Sequence, residues 1–148
     1  MKQLKAEKTV ILIAPQLVTH GSTTTANFDL LDVKGEAEIL VSLGALAGAG
    51  TAPSSIKIFE SDDTVVTNFA EISTSFSTGA ADVGENQHVR FFINRANGAR
   101  KRYARVAVTV PSGSTNSNIL IGAIGRVSKQ GEDPSTNSEI GANVYKEV

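Results

Sequence analysis

The chain has 148 residues, of which 41% are hydrophobic and 20% charged, and its net charge is −1; these are the proportions of one folded domain rather than a disordered segment. It contains no cysteine, which excludes disulfides and thiolate metal sites. No stretch approaches the roughly 20 apolar residues that span a bilayer, and the apolar run 10–14, ended by Pro15, is too short for a secretory signal. The expectation is a protein that is neither secreted nor inserted into a membrane.

In chain order, alternation of period two dominates. "KTVILIA" (8–14) is a short run rich in β-branched residues, closed by Pro15-Gln16. A polar turn, "THGSTTT", leads into "ANFDLLDV" (26–33). In "EAEILVSLG" (36–44), Ala37, Ile39, Val41 and Leu43 alternate with Glu36, Glu38, Leu40 and Ser42, which describes a strand with one buried face. The small-residue loop 45–55 precedes "SIKIFESDD" (55–63), where Ile56 and Ile58 share a face and Asp62-Asp63 signals a turn. "TVVTNFAEIS" (64–73) resumes β-type residues. After the loop 78–87 comes "HVRFFINR" (88–95), with Val89, Phe91 and Ile93 on one side. Asn97-Gly98 is a strong hairpin signal between this strand and "RYARVAVTV" (102–110). There Ala104, Val106, Val108 and Val110 form one face. "ILIGAIGRV" (119–127) is the last strong strand, and Gly122 and Gly125 suggest a bulge or a close approach.

About eight short strands with no convincing helical stretch predict an all-β fold: an antiparallel β-sandwich of jelly-roll type. The sandwich is expected over residues 1–127, including an extended N-terminal strand, and residues 128–148 are expected to form an extended C-terminal arm, able to lie on a neighbouring molecule.

The charge is polarised along the chain. Residues 29–85 carry ten acids and two lysines, whereas residues 86–126 carry seven basic residues and no acid. The two halves can neutralise one another when packed together, or present faces of opposite sign to neighbouring copies.

No catalytic, cofactor-binding or metal site is expected. The only histidines, His20 and His88, stand in a Thr/Ser/Gly turn and at a strand start, without the partners that acid–base chemistry needs. The carboxylates of "ESDD" (60–63) lack the ligand number of a calcium loop. The glycines of "GALAGAG" (44–50) lack the Lys-Ser/Thr of a phosphate-binding loop. The conspicuous feature is a basic cluster around the Asn-Gly turn: Arg95, Arg100, Lys101 and Arg102, with Arg90 and Arg105 further along the two strands. Phe91, Phe92 and Tyr103 are available as platforms for a nucleic acid, but Phe91 fits the core pattern, Tyr103 starts a strand, and the whole-chain pI of about 6.1 is not the basic value of a nucleic-acid domain. The cluster is therefore read as a protein-contacting or internally paired tip. Arg95, Arg100, Lys101 and Arg102, with Tyr145 on the arm, are the candidate partner contacts.

Two resemblances bear on function. "IKIFESDDTVVTNFAEI", followed by "RKRYARVAVTV", resembles strand–turn–strand segments of discoidin-type and carbohydrate-binding jelly rolls, although Thr64 stands where glycine is usual and the usual tryptophan is absent. Over most of the chain, the order of "ANFDLLDVKGEAEILVSLGAL", "IKIFESDD", "KRYARVAVTV" and "ILIGAIGRV" is similar to that in small virion structural proteins of tailed phages and prophages, of the capsid decoration (cement) type. This second resemblance implies a non-enzymatic protein on the virion surface. Its partners would be the major capsid protein and copies of itself, as a dimer or trimer, with no cofactor, membrane or nucleic acid. A head–tail or tail component and a discoidin-like glycan-binding module are the alternatives.

Overall fold

The computed structural model describes residues 8–31, 33, 36–46, 53–72, 86–94, 100–112, 118–128 and 144–147. They form nine strands: β1 (Lys8–Val18), β2 (Thr23–Asp29), β3 (Glu36–Leu46), β4 (Ser55–Ser61), β5 (Ala70–Glu71), β6 (His88–Asn94), β7 (Tyr103–Thr109), β8 (Ile119–Ser128) and β9 (Val144–Glu147). A single 3-10 turn, Val66–Asn68, is the only helical element among the described residues. One sheet, A, has the order β1-β8-β3-β6-β9, and the other, B, has the order β2-β7-β4-β5. Every pairing is antiparallel except β6 with β9. The fold is thus the expected all-β sandwich.

The pairs β1·β8, β2·β7, β3·β6 and β4·β5 are successive rungs of one long hairpin whose tip is the β4–β5 connection. Rolling that hairpin adds the β3·β8 and β4·β7 pairings. The alternation in the sequence decides which faces meet. Ala37, Ile39, Val41 and Leu43 of β3 and Val89, Phe91 and Ile93 of β6 are buried, as are Ile56 and Ile58 of β4 and Ala104, Val106 and Val108 of β7. Each large aliphatic or aromatic side chain removed from water in this way contributes on the order of 2 kcal/mol against the entropy of ordering the chain.

Along β8 the inward residues shrink from Ile119 and Ile121 to Ala123 and Gly125. The taper makes room for Phe28 of the opposite sheet: a Cβ at Gly125 would lie 2.8 Å from Cζ of its ring. The close approach suggested by the sequence is therefore real. A second glycine, Gly21, has φ +73° and turns the chain between β1 and β2, where its amide donates to the carbonyls of Val110 and Pro111.

Several local expectations change. Pro15 does not end the first strand; β1 continues to Val18, with irregularities of register between Ile11 and Ile13 and between Ile13 and Gln16. Proline is tolerated there because β1 is an edge strand and the irregularity relieves it of a ladder hydrogen bond. The 64–73 stretch is mostly turn, and only Ala70–Glu71 pairs with β4. The Asn-Gly signal does not make a hairpin. Residues 96–99 lie outside the described residues, but the strands flanking them belong to different sheets: β6 pairs with β3 and β9, and β7 with β2 and β4. With both edges of β7 already taken, β6 has no place beside it. Within the segment expected to form an arm, residues 144–147 join the chain's own sheet, with Val89 opposite Val144 and Phe92 opposite Glu147.

Gly125→Ala is expected to destabilise the fold by about 1–3 kcal/mol in urea unfolding, because the methyl meets the Phe28 ring. Combining it with Phe28→Leu should cost less than the sum of the two single changes; strict additivity would show that the ring and the glycine are not in contact.

Candidate functional site

The basic residues singled out by the sequence are distributed by the fold rather than gathered. Arg100, Lys101 and Arg102 lie just before β7, at the end of the sandwich where β2 and β4 also end; the amide of Leu30 donates to the carbonyl of Arg102 at 2.8 Å. Each of the three meets an acid from the first half of the chain. Arg102 grips Asp29 with two bonds, Nε to Oδ1 at 3.0 Å and Nη2 to Oδ2 at 2.8 Å. Arg100 Nη1 lies 3.6 Å from Glu60 Oε1, and Lys101 Nζ lies 3.4 Å from Asp62 Oδ2. The Lys101 amide also donates to Glu60 at 3.3 Å. Arg95 lies outside the described residues. Tyr145 falls in β9, opposite Arg90.

Arg90 and Arg105 do not approach one another. Their chain neighbours Val89, Phe91, Ala104 and Val106 point into the core, so the two arginines emerge on the outer faces of opposite sheets. On sheet A, Glu38 stands directly opposite Arg126 of β8 and diagonally from Arg90 of β6. Arg90 Nη2 donates to Glu38 Oε2, Arg126 Nη1 lies 4.0 Å from Oε1, and the Phe92 ring packs 5.0 Å from the Arg90 guanidinium. Glu38 is thereby buried although it faces outward, its side chain retaining 9% exposure. Alternation alone assigned Glu38 to solvent; flanking arginines on both neighbouring strands override that.

On sheet B, Arg105 is buried as well. Its Nε donates to Asn27 Oδ1 at 2.8 Å, and its guanidinium carbon lies 3.7 Å from the centroid of the Phe69 ring. Phe69 arrives there because the 3-10 turn folds back over the sheet. Asp63 secures that turn by accepting from the Val65 amide at 2.9 Å and the Asn68 side chain at 2.8 Å. The "ESDD" carboxylates are thus engaged in turn formation and pairing, and among the described residues no cluster of His, Asp and Glu is arranged to hold a metal. Phe91 is in the core, and Phe59 and Phe69 are half-buried, so none of these three rings offers a free sugar platform. His88 and Ser42 face each other across β6 and β3 with Nδ1 and Oγ 3.0 Å apart, a polar cross-strand pair that the sequence did not announce.

The charged groups have consequences for pH. The hydrogen bonds from Arg102, together with the Leu31 amide and the nearby positive charge, hold the Asp29 carboxyl below its ordinary value of 3.8. Asp63 is lowered by the Asn68 side chain and then by the Val65 amide. A carboxyl depressed in the folded state stabilises the fold above its unfolded value, and that contribution disappears as pH falls through the lower, folded value. Carbon-detected titration should find Asp29 below the ordinary range in the native chain and back within it in Arg102→Ala; an unmoved Asp29 would show that Arg102 is not the cause. Glu38→Gln, which leaves two arginines beside an uncharged amide, is expected to cost about 3 kcal/mol or more in urea unfolding. A loss near zero would mean that the outward carboxylate contributes nothing.

No family model matches the chain, and no curated protein matches it. Among solved structures it is similar to a chain from work describing Bacillus endospore appendages as a family of disulfide-linked pili, at 13% identity over 88% of this chain and 95% of that one, with a TM-score of 0.37. It is also similar to the coat protein of Tobacco streak virus, solved as a dimer, at 10% identity over 93% of this chain and 96% of that one, with a TM-score of 0.29. At such TM-scores neither likeness carries weight for fold or function.

Proposed function

We propose that this chain is a structural protein of a virus particle: a capsid decoration (cement) protein of tailed-phage type, which binds the outside of the major capsid protein lattice and stabilises the shell. In this reading the winding of the two sheets is that of a jelly roll, the protein catalyses nothing, and it needs no cofactor. It acts as a dimer or trimer, contacting copies of itself and the shell protein.

The observation that carries the proposal is an apolar corner on the outer face of sheet A. Ile11 and Leu17 on β1 and Leu120 on β8 are 68%, 56% and 43% exposed. Leu17 and Leu120 stand opposite one another, Ile11 stands opposite Ile124, and Leu120 lies over Gly44 of β3. Leu17 and Leu120 side by side, with Ile11 about 20 Å further along the same strand, give a rigid apolar surface that favours contact with another protein. The strand that carries Ile11 and Leu17, β1, is an edge of the sheet, with no further strand beside it among the described residues, so its backbone can also pair. The order of segments noted in the sequence supports the same reading. So does the internal matching of charge, which leaves little field to attract a polyanion. On a lattice, many such modest contacts add up to firm attachment.

The test uses purified protein and shells of the corresponding particle that lack it. Light scattering at low and high salt should give a discrete dimer or trimer, and the protein should sediment with the shells. Leu17→Asp and Leu120→Asp should keep the fold while weakening shell binding at least tenfold. Failure of the wild-type chain to bind shells would overturn the proposal, and unchanged binding by both variants would remove this corner as the contact. Antibody labelling of whole particles separates the capsid surface from a head–tail or tail position, where the same contact chemistry would serve.

A further inference from the structure

We propose that Arg105 and Asn27, roofed by Phe69, form a binding site for a carboxylate group on the outer face of sheet B. The inference is independent of where the protein resides. Its starting point is an imbalance. On and beside this face, Asp29 is engaged through both oxygens by Arg102, and Glu71 is engaged by Lys57 at 2.8 Å. Arg105 has no carboxylate partner among the described residues, although only 9% of it is exposed. Arg105 is the most buried cation of the face.

A guanidinium removed from water without a counter-charge is costly, and here its compensation is partial. Of its five N–H donors, the one on Nε goes to Asn27. The ring of Phe69 at 3.7 Å adds a cation–π contact. The donors on Nη1 and Nη2 meet no acceptor among the described residues, and neither is among the fully buried unsatisfied atoms, so both keep contact with solvent. Arg105 therefore presents the end of its fork to solvent at the 9% of the residue that stays exposed. Nε is already fixed by Asn27, and the plane is fixed by Phe69.

That geometry selects the ligand. Two parallel N–H groups in a preset plane match the two oxygens of a carboxylate. The single charge of one guanidinium suits a monoanion, and the half-buried rings of Phe59, opposite Arg105 on β4, and Phe69 suit an apolar or flat body behind it. Partial exclusion of water strengthens the charge-assisted bonds relative to an open surface. The carboxylate can belong to a free small molecule or to an acidic group of another copy of this chain; the chemistry at Arg105 is the same.

The probe is benzoate, a planar carboxylate with an apolar ring, added to the isotope-labelled full-length chain at constant ionic strength, with chloride as the reference salt. The Arg105 Nε–H, the Asn27 side-chain amide and the Phe69 ring signals should shift together and saturate with a dissociation constant on the order of 1 mM. Arg105→Lys, which keeps the charge and loses the fork, should weaken the apparent affinity at least tenfold while the remaining amide spectrum stays native. A linear response equal to that of chloride, or an unchanged affinity in Arg105→Lys, overturns the site. Sedimentation equilibrium identifies the source. If benzoate dissociates wild-type oligomers, the native carboxylate comes from another copy. If the mass is unaffected while the shifts saturate, it comes from a free ligand.

Discussion

The structure depends on one pairing rule, from which only β4·β5 and β6·β9 depart: strands from the first part of the chain pair with strands from the second. β1 lies against β8, β2 against β7, β3 against β6 and β8, and β4 against β7. Because the acids are concentrated in residues 29–85 and the bases in residues 86–126, this winding sets opposite charges beside one another without any local signal for it. Asp29 meets Arg102, Glu38 meets Arg90 and Arg126, and Glu60 meets Arg100. The exposed pairs contribute little singly, whereas breaking the buried Glu38 pairing is costly. Their wider effect is on register, since a slip of one residue would both reverse the buried face and break the charge matching.

The same rule shapes what the surface can recognise. Most of the basic residues that stand out in the sequence are answered by carboxylates of the same chain, so no concentrated positive patch emerges from the described residues. Two departures from the self-satisfied surface remain: the apolar corner built by β1 and β8, and Arg105 beneath Phe69. The first comes from an edge strand that carries large apolar residues on its outer as well as its inner side. The second comes from a turn that folds an aromatic ring onto a cation with no acid opposite it. Outward position in a strand is thus a poor guide to exposure here, because Glu38 and Arg105 both face away from the core and are both buried.

Much of the fold could be read from alternation. The inward sets Ala37–Ile39–Val41–Leu43, Val89–Phe91–Ile93 and Ala104–Val106–Val108–Val110 are those expected, because a half-buried strand must place every second residue in the core. The Gly125 close approach was likewise suggested by a glycine where a strand should carry a side chain. The misreadings have a common source. Pro15 and Asn97-Gly98 were interpreted by their local preferences, and local preferences yield when a strand lies at an edge or when both sides of a strand are claimed by distant partners. Arg90 and Arg105 lie further along two consecutive strands, where cross-strand pairing could bring them near one another, but the two sheets hold them apart.

By itself the sequence determined that this chain is a β-sandwich, which of its residues fill the core, and that its two halves carry complementary charge. Those properties follow from side-chain chemistry and a period of two, both of which are local. Only the tertiary structure decided which strands are neighbours, and therefore which acid meets which base, which apolar side chains stay uncovered, and that Arg105 meets no carboxylate among the described residues. Each of these depends on contacts between residues far apart in the chain, and alternation along a strand is blind to the identity of the strand beside it.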